Sequence, residues 1–352
     1  MSSPARILAV STAVPPYVLD QDDVTYRISL ALGPRSREIL RLLPMFGNTG
    51  IARRYSCVPI EWYEGTHDWP ERNRIYLESA LDLLEEATRN ALEQAGRQPD
   101  EIDAIVVVST TGIATPSLDA LLMERMRLRR TVRRLPIFGL GCAGGTIGLA
   151  RAATMASTAP GKLVLFLVVE LCALSFRRDD FTKSNIVATA LFGDGAAAAL
   201  LLASADGGPC VVAGGEYTWP DSLDVMGWDV TGEGLKAIFS RDIPNLVTTQ
   251  LHDVAVTFLA ERGLTLRDVD RFVCHPGGAK VIDALESAYE VEPGALFESR
   301  EVLRDYGNMS AATVMFVLER TMLNGAMPWN RALVSALGPG FTAGFTLLER
   351  SP

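Results

Sequence analysis

The chain has 352 residues, 48% of them hydrophobic and 21% charged, with a formal net charge of −9. A chain of this length and composition closes a large core without metals or disulfides, and its acidic balance argues against a general nucleic-acid binder. The five cysteines, at 57, 142, 172, 210 and 274, form no CxxC pair, so they read as reduced thiols of a cytoplasmic protein and not as a disulfide framework.

In chain order, the first predicted element is a strand at Ile7–Val10; the apolar stretch to Val14 is too short for a secretory core and runs into Pro15 and Pro16. Helical spacing covers Arg74–Ala95, and a strand follows near Ile105–Val108. Arg125–Arg134 packs six arginines into ten residues, which suits a solvated helix end or a site for phosphates or an acidic carrier protein. A helical segment begins near Cys142, strands follow at Leu163–Val169 and Ala196–Leu202, and Leu246–Arg262 has helical spacing again. The last predicted elements are a strand at Phe272–Cys274, a helix beginning near Asn308, and strands at Leu333–Ala336 and Phe345–Leu348. Continuous apolar runs alternating with amphipathic stretches predict an α/β chain whose strands are buried on both faces. No apolar run approaches the roughly 20 residues that span a bilayer, so no membrane association is predicted.

The second half repeats the first in kind and spacing. IDAIVVVST from Ile102 is answered by VDRFVCHPG from Val269, and GCAGGTIGLARA from Gly141 by GNMSAATVMFVLE from Gly307. LVLFLVVE and GAAAALLLA are answered in turn by RALVSALGPG and AGFTLLE. Turn-forming residues at Ala203–Gly208 suggest a boundary between halves 1–205 and 206–352. In a duplicated fold, equivalent loops converge on one centre, so Cys142 and Asn308 are expected to face each other across a pseudo-dyad.

Three motifs carry the candidate chemistry. In LGCAGGTIGLA, Cys142 precedes Gly144, Gly145 and a small apolar helical segment. Free amides at a helix N-terminus favour a thiolate, with the glycines allowing close packing and passage of an acyl chain; the pattern also suits a buried cysteine with glycines serving only helix packing. In CHPGG, His275 ends an apolar strand on a glycine-rich turn, either as a structural residue or as a catalytic one, whereas His67 and His252 lie in polar surroundings. In YGNMSAA, Asn308 holds the place that Cys142 holds in the first half; taken alone it reads as a helix N-cap.

On GCAGG, ALFGDGAAA, CHPGG, YGNMSAA and LGPGFT, and over nearly its whole length, the chain resembles thiolase-fold condensing enzymes, and among them the type III polyketide synthases of the chalcone and stilbene synthase family. The resemblance implies a five-layered αβαβα sandwich working as a homodimer, with acyl-CoA starters, malonyl-CoA as extender, and no bound cofactor or metal. It implies Cys142 as nucleophile, with His275 and Asn308 stabilising first the thiolate and then the enolate of decarboxylated malonyl-CoA. Phe192 matches an aromatic gatekeeper. Ala237 stands where the family has a second gatekeeper phenylalanine, with Phe239 two residues on, and a smaller residue there favours a fatty acyl starter and an alkylpyrone or alkylresorcinol product.

Glu170, Thr110 and Ser310 match a hydrogen-bonded network that activates water in stilbene-forming relatives, although Glu170 at a strand end also suits a structural acid. Thr111, Cys172, Ser175, Gly338 and Pro339 are expected to line the pocket, and Thr115 occupies the place of a methionine that the family inserts into its partner's cavity. For the CoA moiety, Arg41, Gly277, Gly278 and Lys280 are the expected contacts, with Arg53 or Arg54 as substitutes for missing basic residues. The nearest alternative is an initiating ketoacyl synthase using an acyl carrier protein, but that family usually carries HQAN where this chain has HPGG. A non-catalytic dimeric scaffold is the alternative from another class, and intact Cys142, His275 and Asn308 argue against it.

Overall fold

A computed structural model describes residues 4–32, 43–180, 182–204, 207–240, 242–325 and 327–350. Strand β1 (Ala5–Ala13) leads to β2 (Tyr17–Asp20), helix α1 (Gln21–Leu32) and β3 (Arg53–Ser56). Then follow α2 (Trp69–Ala95), β4 (Ile102–Val108), α3 (Leu118–Arg125), β5 (Arg133–Ile137), α4 (Gly144–Ser157), β6 (Leu163–Leu171), α5 (Lys183–Leu191) and β7 (Asp194–Ala203). After these come β8 (Cys210–Thr218), β9 (Met226–Thr231), β10 (Gly234–Phe239), α6 (His252–Ala260), β11 (Arg271–Cys274) and α7 (Ala279–Ala288). The chain closes with α8 (Phe297–Tyr306), α9 (Thr313–Leu323), β12 (Arg331–Gly338) and β13 (Thr342–Glu349).

The main sheet runs β11-β12-β13-β8-β1-β7-β6-β4-β5 and consists of two similarly ordered sets. In one, β4 is parallel to β6, β6 antiparallel to β7, and β7 antiparallel to β1. In the other, β11 is parallel to β12, β12 antiparallel to β13, and β13 antiparallel to β8. The sets meet where Ala5 and Arg6 of β1 pair with Val211 and Cys210 of β8. Asp103 and Asp270 hold equivalent posts: Asp103 accepts from the Leu163 amide at 3.0 Å, and Asp270 from those of Asn330 and Arg331 at 2.8 and 2.9 Å, each tying a loop to the next strand.

The continuous apolar runs are explained by burial on both faces. Along β4, Ala104, Val106 and Val108 face a central cluster with α4 and α9, whereas Ile105 and Val107 face a second cluster beneath α2. Helices α4 and α9 touch strands of both sets, while α6 and α7 cover the outside of the second set. The result is five layers, helix, sheet, helix, sheet, helix. Helix α2 starts five residues before the predicted Arg74 because Asp68 caps it, accepting from the Glu71 amide at 2.9 Å. The predicted helix at Leu246–Arg262 is interrupted by a π turn at Val247–Leu251.

Short strands β2, β3, β5, β9 and β10 escaped the periodicity because they are edge or isolated pairs with mixed polar faces. Of the arginine run, Arg125 pairs with Asp82 and Glu85, Arg129 with Asp103, Arg130 with Glu124, and Arg134 with the buried Asp119, so most of its charge is matched within the chain. Among the described residues, no helix is long and apolar enough to cross a membrane.

Candidate active site

Cys142 lies on a single 3-10 turn, Gly141–Ala143, that leads into α4; Asn308 lies two residues before the matching turn, Ser310–Ala312, that leads into α9. The turns face each other, and the Cys142 thiol donates to Ser310 Oγ across 3.6 Å. Gly145 permits the approach, since a Cβ there would sit 2.2 Å from the Ala311 carbonyl oxygen of the opposite turn. Gly144 and Gly148 serve packing in the same way, against Val108, Ala311 and Phe166. Gly141 has φ 48, and a Cβ there would strike the Pro339 ring. Gly338 meets Leu140 and Ala143 just as closely. Gly338 and Pro339, expected as pocket lining, instead buttress the turn that carries Cys142.

His275 follows β11, with its amide bonded to the Ser335 carbonyl at 2.9 Å. The residue is 5% exposed, and neither ring nitrogen has a protein partner. Asn308 is oriented by its surroundings: Oδ1 accepts from the Ser310 amide at 2.8 Å, and Nδ2 donates to the Gly277 carbonyl at 3.3 Å, leaving one amide hydrogen for a ligand. Cys142, His275 and Asn308 all line one cavity of about 920 Å³. Gly277, Gly278 and Lys280 line it too, with Pro44, Asn48 and Lys183. Lys183 is an addition to the expected set; the one local signal for it is the Thr182 N-cap just before it, whose Oγ1 accepts from the Asn185 amide at 3.4 Å.

A second, largely apolar cavity of about 370 Å³ is lined by Phe192, Cys172, Ser175, Phe176 and Ile28. Helix α5 is the partition. Lys183, Val187, Ala190 and Leu191 face the first cavity, and Asn185, Ile186, Ala188 and Thr189 the second. Phe192 packs with Cys172, Ala188 and Ala237, and its ring lies 5.5 Å from that of Phe239, which lines the first cavity. Phe239, two residues beyond Ala237 on the same face of β10, thus places an aromatic ring beside Phe192.

Glu170 is fully buried. Its Oε2 accepts from the Thr110 amide at 2.9 Å and the Thr111 hydroxyl at 2.8 Å, while Oε1 has no partner. Thr110 Oγ1 in turn accepts from the Gly141 amide at 3.3 Å, so this acid is wired to the Cys142 turn. Among the described residues no hydrogen bond joins Ser310 to this group; Ser310 is engaged by Cys142 and Asn308 instead. Burial pushes Glu170 up to about 7 against the hydrogen bonds of Thr110 and Thr111.

Burial also pushes the Cys142 thiol up to about 12, opposed by the Ser310 hydroxyl and reinforced by the Glu170 charge, and pushes His275 down to about 3. The lowering of the thiol pKa expected from a helix N-terminus is opposed here by burial, since taking a sulfur anion out of water outweighs a few amide dipoles.

Arg54 is no CoA contact. It is 1% exposed, and its guanidinium donates to the carbonyls of Thr189 and, at 3.3 Å, Phe192. Arg53 is exposed on β3, outside both cavities, and Thr115 is exposed on the loop before α3, apart from both cavities of its own chain. Arg41 lies outside the described residues.

Residues 1–205 match the family described as chalcone and stilbene synthases, N-terminal domain, and residues 211–351 match the C-terminal domain of the same family. The chain is 39% identical over 98% of its length to a putative chalcone synthase of Bacillus subtilis, covering 98% of that protein. It is 40% identical over 97% of its length to the 1,3,6,8-tetrahydroxynaphthalene synthase of Streptomyces peucetius subsp. caesius, covering 92% of it. The crystal structure of the 1,3,6,8-tetrahydroxynaphthalene synthase of Streptomyces coelicolor, a bacterial type III polyketide synthase, superposes with a TM-score of 0.93 at 29% identity, covering 99% of both chains. The five layers are those of this thiolase-like fold.

Proposed function

Since the chain belongs to the chalcone and stilbene synthase family and is a type III polyketide synthase, an acyltransferase, we propose that it loads a fatty acyl group from CoA onto Cys142 and extends it with malonyl-CoA. The extended chain then closes to an alkylpyrone or alkylresorcinol. The observation that supports this reading is the convergence of Cys142, His275 and Asn308 on one cavity, with both imidazole nitrogens and one amide hydrogen unused by the protein.

In the loading step, neutral His275 takes the Cys142 proton as sulfur attacks the thioester carbonyl, and returns it to the departing CoA sulfur. Desolvation disfavours each charge alone, and the attraction between thiolate and imidazolium offsets that cost only while both exist. Malonyl-CoA then binds with its thioester oxygen toward His275 and Asn308 Nδ2. Carbon dioxide leaves, the electron pair of the broken bond becomes an enolate, and those two donors act where the charge develops. The enolate carbon attacks the acyl carbonyl on Cys142, forming a carbon–carbon bond and releasing the cysteine sulfur.

The CoA arm passes Gly277, Gly278 and Lys280, with Lys183 as a second cation lining the same cavity. Glu170, Thr110 and Thr111 take part in ring closure through the wiring to the Cys142 turn. The protein acts as a homodimer, in which the exposed Thr115 loop reaches the partner. A second reading has a specific ground, the identity to synthases of 1,3,6,8-tetrahydroxynaphthalene, and it assigns the same product to this chain.

Labelled malonyl-CoA, supplied alone and with a ladder of acyl-CoA starters, decides between them by product mass. Elongated fatty acyl products support the first reading, and naphthalene products formed without any starter support the second. Absence of both products and of released carbon dioxide would refute the enzymatic reading.

A further inference from the structure

Gln21, the first residue of α1, is buried, and its side-chain amide meets three acceptors. Nε2 donates one hydrogen to the Ala190 carbonyl of α5 at 3.0 Å, and the other is shared between Thr49 Oγ1 at 3.2 Å and the Phe46 carbonyl at 3.3 Å. Thr49 Oγ1 can accept because its own hydrogen goes to the Phe46 carbonyl at 2.8 Å. The backbone amide of Gln21 donates in turn to the Ala52 carbonyl at 2.9 Å. One residue thus fastens both ends of the stretch 46–52 and ties it to α5, just before Phe192 and its bridge to Asn308.

That stretch begins in the short helix Pro44–Gly47. Pro44, Met45, Asn48 and Thr49 line the cavity of Cys142, together with Ala190 and Leu191 of α5. Pro44, Asn48 and the cavity residue Lys280 are exposed, whereas Cys142, His275 and Asn308 are buried. The stretch is therefore a wall at the exposed end of the cavity, which a thioester passes on its way to the sulfur. At Gly50, φ 77, the chain turns in the left-handed region against the first residue of α7, and a Cβ there would lie 3.6 Å from that of Ala279. The wall accordingly spans from α5 to the start of α7, beside Gly277 and Gly278.

Phe46 packs with Leu19, Val24, Ile28, Ile186 and Ala190 and keeps the stretch in the fold. Apolar burial is non-directional, so it holds the wall down without fixing its height. Hydrogen bonds are directional, and those of Gln21 set that height. Gln21 itself does not line the cavity. We infer that it is a positioning residue, holding the 44–49 wall where it grips the pantetheine and nucleotide of an incoming CoA thioester. The inference rests on the use of CoA thioesters proposed above and not on the identity of the starter.

Gln21→Met keeps the side-chain volume and removes the donors. Carbon dioxide release is measured from malonyl-CoA and from malonyl-N-acetylcysteamine, which lacks the nucleotide and most of the pantetheine. For malonyl-CoA, KM is expected to rise about fivefold while kcat stays within about twofold. The short thioester should keep its kcat/KM within about twofold, so the ratio of the two substrates falls. An equal loss on both thioesters, or an unchanged ratio in the folded variant, would overturn the positioning role. If Gln21→Met does not fold, Thr49→Val carries the test by removing one acceptor. It should lower the ratio in the same direction, and Thr49→Ser, which keeps the hydroxyl, should restore it; equal ratios in those two variants would overturn the inference. No carbon dioxide from malonyl-CoA with the unaltered enzyme would overturn it together with the reaction proposed above.

Discussion

Phe192 and Asn308 are joined by an isolated parallel β-bridge, so the aromatic on the second cavity and the amide in the first belong to one rigid piece of backbone. The Asn308 amide donates to the Leu191 carbonyl at 2.8 Å, and the Gly193 amide donates to the Asn308 carbonyl at 3.0 Å. Arg54 lies beneath this joint, holding the Thr189 and Phe192 carbonyls, with its side chain against Gly193 and Gly307.

Arg54 is thus a positioning residue for Asn308. Arg54→Met is expected to lower stability by roughly 3 kcal/mol, because it leaves carbonyls and the nearby Asp194 uncompensated. In the folded fraction, malonyl-CoA decarboxylation should fall about tenfold or more while acylation of Cys142 persists. Intact mass and released carbon dioxide read the two steps separately, and a parallel loss of both would reduce Arg54 to a purely structural role.

The two members of the proposed enolate site should behave differently from the nucleophile. Cys142→Ala abolishes the acyl-enzyme, whereas Asn308→Ala retains it and loses on the order of a hundredfold in decarboxylation. His275→Ala depresses both steps. An acyl-enzyme in Cys142→Ala would assign the sulfur to another residue.

With its thiol pushed up to about 12, Cys142 in the free enzyme should be alkylated by iodoacetamide at a rate that climbs about tenfold per pH unit between roughly pH 7 and 10, without a plateau. Ser310→Ala removes the hydroxyl that accepts from the thiol and steadies its anion, so the rate drops several-fold at every pH. A plateau below about pH 8 would mean that a preformed ion pair with His275 exists after all.

Glu170 makes folding pH-dependent. Its folded pKa, pushed up to about 7, lies above the unfolded value, so between about pH 4.5 and 7 the native state binds more protons and stability falls as pH rises, by about 3 kcal/mol over that window. Glu170→Gln keeps an oxygen for the Thr110 amide and the Thr111 hydroxyl and should flatten much of this fall, leaving the part due to buried Asp194, which burial pushes up to about 6. Urea unfolding at pH 5 and 8 provides the comparison; an equal slope in the variant would exclude Glu170 as the cause.

Gly145→Val places side-chain atoms where the Ala311 carbonyl oxygen sits. The facing turns must separate, which costs roughly 1–3 kcal/mol and lengthens the contact between Cys142 and Ser310. Thermal unfolding reports the first effect, and slower acylation of Cys142 the second.

Local pattern was enough for the α/β class and for the similarity of the two halves. Runs such as Leu163–Val169, apolar at every position, are explicable as strands covered on both faces, and the duplicated order of motifs sets the turn of Cys142 opposite the turn that follows Asn308. What needed tertiary structure was everything that sums over distant residues. Whether an arginine binds a phosphate or clamps a loop depends on what closes over it, as Arg54 shows. Whether Ala237 opens a gate depends on where the neighbouring Phe239 ring falls. The desolvation of the Cys142 thiol, and the cavity it shares with His275 and Asn308, arise from residues scattered over the whole chain. Periodicity is a property of neighbours in sequence, whereas cavities and dielectric are properties of neighbours in space.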